Sequence, residues 1–177
     1  MRPAQWVKNL FVLAPLFFSG RILEPESVVA SLAAVLVFCL ASSSIYCLND
    51  IIDLEADRHH PVKRRRPLAS GRLSVADVAS EGVLLALGAL LLPAILPVCW
   101  LETSLITGVY ILLNVGYSLG LKRKPIVDIF IIATGFVLRV VLGAVVCSIW
   151  LSPWLVILTF IITLFLATAK RRDDLLT

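Results

Sequence analysis

The residues best suited to chemistry lie in one polar stretch, residues 49–72, which reads NDIIDLEADRHHPVKRRRPLASGR. Asn49 opens it, and three acids follow, Asp50, Asp53 and Asp57. If the preceding helix continues through them, these spacings put the three carboxylates on one face. Carboxylates that close repel one another unless a cation is present, and hard oxygen donors suit Mg²⁺, which also binds waters and substrate phosphates. We therefore expect Asp50, Asp53 and Asp57 to be the catalytic, metal-holding residues, with Asn49 as a neutral oxygen donor beside them.

A basic run follows the acids at once, and it includes Lys63, Arg64 and Arg66. Such a run is well placed to bind the phosphates whose metal the acids hold. It also fits a second role, since cytoplasmic loops are basic for topology and for contact with anionic lipids. A solvated acidic helix end is the alternative for the acids, but acids at a helix C-terminus oppose the helix dipole.

The elements that must position this stretch are apolar helices. The chain of 177 residues is 59% hydrophobic, 16% charged and has a mean hydropathy of +0.96, which exceeds what a soluble domain of this size can bury. Several apolar runs approach the ~20 residues that cross a bilayer. We predict one all-α integral membrane domain, residues 1–177, a polytopic transmembrane helical bundle with six spans at about residues 6–20, 28–48, 75–96, 104–119, 126–149 and 153–169.

The distribution of positive charge predicts the orientation of this bundle. All but two of the 16 Lys and Arg residues lie at the termini or in the loops at 49–74 and 120–125; the exceptions are Arg21 and Arg139. By the positive-inside rule both termini and the polar stretch are cytoplasmic. The bases form no patch interleaved with aromatic residues, so we expect no nucleic-acid partner.

A second polar cluster brackets the loop between the fourth and fifth spans and comprises Tyr117, Lys122, Arg123 and Asp128. Tyr117 fits either a substrate site or the interfacial aromatic belt, and Asp128 fits either a functional role or a helix N-terminus. Asn114 shares the helix face of Tyr117 and lies inside the span, where its amide needs a partner.

Arg139 is the charge placed deepest in a predicted span, which by default predicts a functional site. Gly135 and Gly143 lie four residues before and after it, so neighbouring helices can pack closely there. Its guanidinium either reaches an anionic group of the substrate or forms a structural pair with Asn114 or Asp128.

These motifs together resemble a known family. The pattern Asn49-Asp50-x-x-Asp53-x-x-x-Asp57 is similar to the first Asp-rich motif of the UbiA-type superfamily of intramembrane prenyltransferases. The basic run, RPAQWVKN at 2–9, YSLGLKRKPIVD at 117–128 and GFVLRVVLGA at 135–144 look like one branch of it, the decaprenyl-phosphate phosphoribosyltransferases. The resemblance covers essentially the whole chain.

The resemblance implies a Mg²⁺-dependent transferase in the bacterial inner (plasma) membrane that makes a lipid-linked precursor of cell-wall polysaccharide. Its donor would be phosphoribosyl diphosphate and its acceptor polyprenyl (decaprenyl) phosphate, with membrane lipids around it and a homo-oligomer left open. Lys63, Arg64, Arg66, Lys122 and Arg123 would neutralise phosphates. The superfamily fold resembles a ring of nine helices, and its second acidic motif would begin near Lys170, so we expect a C-terminally incomplete chain.

Three other functions stay open on the residues alone. A related enzyme would move a prenyl group from prenyl diphosphate to an aromatic or other lipophilic acceptor. A non-catalytic membrane subunit or inactive fragment would not need the acids. A transporter is disfavoured because the charges cluster at one surface instead of lining a path through the midplane.

Overall fold

Helices account for nearly all of the regular structure, and the described residues contain no strand. The computed structural model describes residues 3–176, except for the side chains at positions 3, 4, 123, 125, 170 and 173–176. A 3₁₀ segment, Pro3–Leu13, leads into the α-helices α1 (Ala14–Phe18), α2 (Pro25–Ile52), α3 (Leu54–His59), α4 (Val75–Leu91), α5 (Trp100–Leu119), α6 (Pro125–Val146) and α7 (Pro153–Leu176). The predicted all-α membrane bundle is thus confirmed.

The predicted spans compare closely with the helices after the first one. Three helical stretches, Pro25–Ile52, Val75–Ala94 and Ile126–Val146, are long and apolar enough to cross a membrane by length and composition, and Pro153–Ala169 is a shorter apolar helix. Pro93 lies in a 3₁₀ turn, Leu92–Ala94, that ends α4, as its missing N–H donor favours. The predicted sixth span, residues 153–169, coincides with that shorter apolar helix, and α7 continues beyond it to Leu176.

Residues 6–20, predicted as a single tilted span, form two different elements. The 3₁₀ segment occupies most of it, and Pro15 lies in the first turn of α1, where a missing N–H leaves no bond unmade. This segment packs against α2 and α6. At Gly143 of α6 the approach is so close that a Cβ atom would overlap the carbonyl oxygen of Val12.

The core of the bundle is built around α2, which packs against α4, α5 and α6. Its buried face consists mainly of small residues, with Phe38 as the largest fully buried side chain. Small residues let helices approach closely when lipid removes the hydrophobic drive for their association. By contrast, α4 leaves most of its surface exposed, so it lies at the edge of the described bundle.

The loop that carries the basic run is fixed at both ends. Leu68 is buried in a small apolar cluster with Cys47, Val78 and Leu85, which ties the loop to α2 and α4. The loop ends at a capping box that starts α4: the Ser74 hydroxyl accepts from the Asp77 N–H, and the Asp77 carboxylate accepts from the Ser74 N–H.

Gly143→Ala tests the close approach of the first segment to α6. We expect a loss of stability of about 1–3 kcal/mol, because the new methyl group would force the Val12 backbone away. Thermal unfolding of the detergent-solubilised protein measures it. Gly108→Ala is the matched control, since a Cβ there would lie 3.8 Å from Leu90 and should cost nothing. Equal melting temperatures for the two variants would contradict the packing.

Candidate metal and phosphate site

The acids of the polar stretch lie at a short interruption between α2 and α3. The α2 helix ends at Ile52 and α3 begins at Leu54, so the predicted uninterrupted helix is wrong at Asp53. Its backbone hydrogen bonds nevertheless continue across the break: the Asp53 N–H donates to the Asn49 carbonyl at 2.9 Å and the Asp57 N–H to the Asp53 carbonyl at 2.8 Å. The acids therefore keep a nearly helical arrangement.

Arg66 joins two of these acids. One guanidinium nitrogen, Nη1, donates to the carboxylate of Asp50 at 3.3 Å and also to the carboxylate of Asp57. Asp57 is buried, with 3% of its surface exposed, and burying a carboxylate is costly unless a charged partner such as Arg66 compensates it. The sequence predicted both groups, but it did not show that the basic run folds back onto the acids.

The third acid belongs to a different pair. Asp53 accepts from the ammonium group of Lys122 at 2.6 Å, across 69 residues of sequence. Lys122 lies in the 3₁₀ turn Leu121–Arg123 between α5 and α6. This contact brings the second predicted polar cluster to the first, as a shared site requires.

The donor set fits Mg²⁺ by its chemistry, although the described residues do not form a ready-made three-acid site. No group of three or more His, Cys, Asp and Glu residues that could hold a metal ion occurs in the described part of the chain. Asp50 and Asp57 do converge on one positively charged group, the guanidinium of Arg66. Two carboxylates around one cation is the arrangement that Mg²⁺ uses when phosphates and waters complete its shell.

Positive charge exceeds negative charge around this position. Lys63 and Arg64 lie exposed in the short 3₁₀ turn Lys63–Arg65, next to Arg66 along the chain. Arg58, by comparison, pairs with the exposed Glu55 of its own helix at 2.8 Å. Exposed cations beside paired carboxylates form a surface that attracts a polyanionic ligand.

The second polar cluster continues from Lys122 to the start of α6. Tyr117 lies in the last turn of α5, directly before the turn that carries Lys122. Asp128 is buried and forms an ion pair with Arg171 of α7 at 2.5 Å, a partner that sequence reasoning missed. Asn114 needs no distant partner, because its side-chain amide donates to the Tyr110 carbonyl one turn earlier at 2.8 Å.

Arg139 is buried in the bundle and bound by neutral groups. It donates to the Asn9 side chain at 2.9 Å, to the Tyr110 hydroxyl at 3.1 Å and to the Gly135 carbonyl at 2.7 Å. The rings of Phe38, Tyr110 and Phe136 lie within 5.5 Å of its guanidinium carbon. The predicted pairing with Asn114 or Asp128 is therefore wrong, because both of those side chains are bound elsewhere.

Asn9 is the other residue that sequence reasoning missed. It is fully buried, and its amide also donates to Ser42 and Cys39 of α2. A polar amide inside the first apolar run was the available signal, since such a group must find partners in a membrane. Two predicted site residues, Arg123 and Lys170, have side chains outside the described part of the chain.

Comparison with known proteins identifies the family. Residues 10–175 match the UbiA prenyltransferase family, so the chain belongs to it and the predicted resemblance is confirmed. Over 99% of its length it is 39% identical to a decaprenyl-phosphate phosphoribosyltransferase of Corynebacterium glutamicum and 41% identical to one of Mycolicibacterium smegmatis. It is 36% identical to that of Mycobacterium tuberculosis. The chain spans about half the length of these curated relatives, covering 53%, 55% and 58% of them.

Arg66→Gln tests whether Asp50 and Asp57 share a cation site. At low Mg²⁺ we expect the variant to lose roughly 1–3 kcal/mol of stability, because a buried carboxylate loses its charged partner. Excess Mg²⁺ should restore part of the loss by binding between the same carboxylates. Thermal unfolding in detergent, with and without Mg²⁺, measures both effects.

Arg58→Gln is the matched control for that experiment, because its pair with Glu55 is exposed and should contribute less than about 1 kcal/mol. A loss in Arg66→Gln that Mg²⁺ leaves unchanged would contradict the shared cation site.

Proposed function

We propose that this protein transfers a 5-phosphoribosyl group from phosphoribosyl diphosphate to polyprenyl phosphate, with decaprenyl phosphate as the acceptor, in a Mg²⁺-dependent reaction. The site would face the cytoplasm at the plasma membrane, and the product would serve cell-wall polysaccharide synthesis. The names of the relatives support the choice of substrates. The relatives are about twice as long, so the proposal carries their activity to the part of the fold that this chain supplies.

One observation carries the proposal. Arg66 gathers Asp50 and Asp57 at one position, and Lys122 joins Asp53 to them from another loop. The acids that would hold a metal and the bases that would bind phosphate therefore lie close together at one end of the bundle. With the exposed Lys63 and Arg64 nearby, the positive charge suits a donor with three phosphate groups better than one with two.

The residues would divide the chemistry as follows. Asp50, Asp53 and Asp57, with Asn49 beside them, would hold Mg²⁺, which neutralises the donor diphosphate and makes it a better leaving group. Lys63, Arg64, Arg66, Lys122 and Arg123 would bind the phosphates, including the 5-phosphate. An oxygen of the acceptor phosphate forms the new bond to the anomeric carbon as the bond to diphosphate breaks. No protein nucleophile is required, and alignment and electrostatics supply the catalysis.

The remaining predicted contacts lie farther along the helices. Tyr117 and Asn114 follow α5 away from the acids, and Lys170 lies near the end of α7. Arg139 lies deeper still, where its described contacts are with the protein. In this proposal the prenyl tail lies between the helices, so these residues would flank the acceptor and hold the helices around it.

The direct test is transfer of label from phosphoribosyl diphosphate to decaprenyl phosphate by membranes containing the protein. Asp53→Asn should lower the rate roughly a hundredfold or more, because the metal loses a charged ligand. Glu55→Gln is the matched control, since Glu55 is exposed in the same region and pairs with Arg58. Its rate should equal that of the wild type.

Three results would change the assignment. Transfer from a prenyl diphosphate instead would favour the related prenyltransferase reaction. Absence of labelled lipid with either donor would favour a non-catalytic subunit. Equal rates for Asp53→Asn and the wild type would remove the acids from the reaction.

A further inference from the structure

Asp128 has a buried oxygen to which no described residue donates a hydrogen bond. The residue lies in the first turn of α6 with 9% of its surface exposed. Its Oδ2 atom is bound by Arg171 at 2.5 Å, whereas its Oδ1 atom is buried and has no hydrogen-bond partner among the described residues. An unsatisfied buried acceptor is destabilising, so its retention calls for an explanation.

The position of this oxygen relates it to the phosphate site. The 3₁₀ turn Leu121–Arg123, which carries Lys122 to Asp53, packs against α6, the helix that carries Asp128. Lys122, which binds Asp53, lies six residues before Asp128 on the connecting turn. A donor whose diphosphate binds near Asp53 would therefore bring its remaining atoms towards the start of α6.

The chemistry of a carboxylate limits what can bind there. Asp128 accepts hydrogen bonds and carries negative charge, so it repels a phosphate that no cation separates from it. A hydroxyl group is the ligand it suits, and an acidic side chain on a ribose hydroxyl is a recurrent arrangement in nucleotide sites. A prenyl diphosphate offers no hydroxyl, whereas phosphoribosyl diphosphate offers two on adjacent carbons.

We propose that Asp128 binds the ribose hydroxyls of the donor and so selects phosphoribosyl diphosphate over prenyl diphosphate. This inference rests on the proposed function. Oδ1 is buried and Oδ2 is bound by Arg171, so in this proposal the donor binds as Arg171 releases the carboxylate. The Arg171 side chain is 31% exposed and lies near the cytoplasmic end of α7, so its displacement needs no rearrangement of the core. A site built for a hydroxyl discriminates strongly against analogues that lack it.

The test combines the residue with the hydroxyl it is meant to bind. kcat/KM is measured for phosphoribosyl diphosphate and for its 2-deoxy and 3-deoxy analogues, with the wild type, Asp128→Asn and Arg171→Gln in membranes. For the wild type we expect at least one deoxy donor to be roughly tenfold to a hundredfold poorer, the range for a hydrogen bond to a charged group. In Asp128→Asn, removal of the same hydroxyl from the donor should lower kcat/KM by about threefold or less. Arg171→Gln should discriminate between the donors as strongly as the wild type.

The outcomes separate this inference from the proposed function. A wild type that uses the three donors equally overturns the role of Asp128 and leaves the transferase standing. The role of Asp128 is also overturned if removal of a donor hydroxyl lowers kcat/KM as much in Asp128→Asn as in the wild type. The ion pair with Arg171 would then be the whole role of Asp128. A wild type that transfers no phosphoribosyl group overturns both.

A second variant covers the case in which Asp128→Asn fails to fold. Asp128→Glu keeps the charge for Arg171 but moves the acceptor atoms, and it should still reduce the hydroxyl discrimination. Full wild-type discrimination in Asp128→Glu would overturn the contact.

Discussion

The pairing of Arg66 with Asp50 and Asp57 is the interaction on which the polar end of the bundle depends. Asp57 is buried, and an unpaired buried carboxylate would be strongly destabilising. Leu68, two residues later, is buried against α2 and α4. This burial holds the loop close to the acids, so that Arg66 can reach Asp57. The buried side chain of Leu68 and the ion pair between Arg66 and Asp57 thus hold the same loop in place.

That arrangement explains how one short stretch can serve a polyanionic ligand. The carboxylates are held in place by cations that belong to the site, and further cations remain exposed at its edge. In the proposed function, Arg66 and Lys122 would gain phosphate oxygens as new partners when a diphosphate and its metal bind. Charge compensation would then exist both before and after binding, which would limit the cost of assembling so many charges at a membrane surface.

Arg139 imposes the second constraint, inside the bundle. A guanidinium at this depth is costly unless its donors are bound, and here Asn9, Tyr110 and the Gly135 carbonyl bind them. These partners join the first segment to α5 and α6. Because Tyr110 lies two turns before Tyr117 on α5, the same cluster fixes the helix that carries Tyr117 towards the acids.

The sequence predicted those features that depend on local chemistry. The apolar runs follow from composition, and helices occupy each predicted run after the first one. The Ser74–Asp77 cap and the 3₁₀ turn at Pro93 also have local causes, side-chain capping and the missing proline donor. The acids and bases were also identified, and their functional roles stay predictions.

Long-range pairing could not be predicted in the same way. Nothing in residues 120–125 indicates that Lys122 contacts Asp53. The predicted partners of Arg139 lay on its own helix and on the adjacent helix, whereas its partner Asn9 is 130 positions away in the sequence. Helical periodicity fixes which residues share a face, but the packing of one helix against another decides which faces meet. The interruption at Asp53 was likewise missed, because its backbone hydrogen bonds continue across it.

The central claim is that the acids and bases together bind a diphosphate through a metal ion. Isothermal titration of inorganic diphosphate into the detergent-solubilised protein, with Mg²⁺ and with a chelator, tests it most directly. The account predicts binding in Mg²⁺ that weakens roughly tenfold or more in the chelator, since the carboxylates repel diphosphate when no metal joins them. Equal affinity under both conditions would contradict it and would leave a basic surface in place of a metal site.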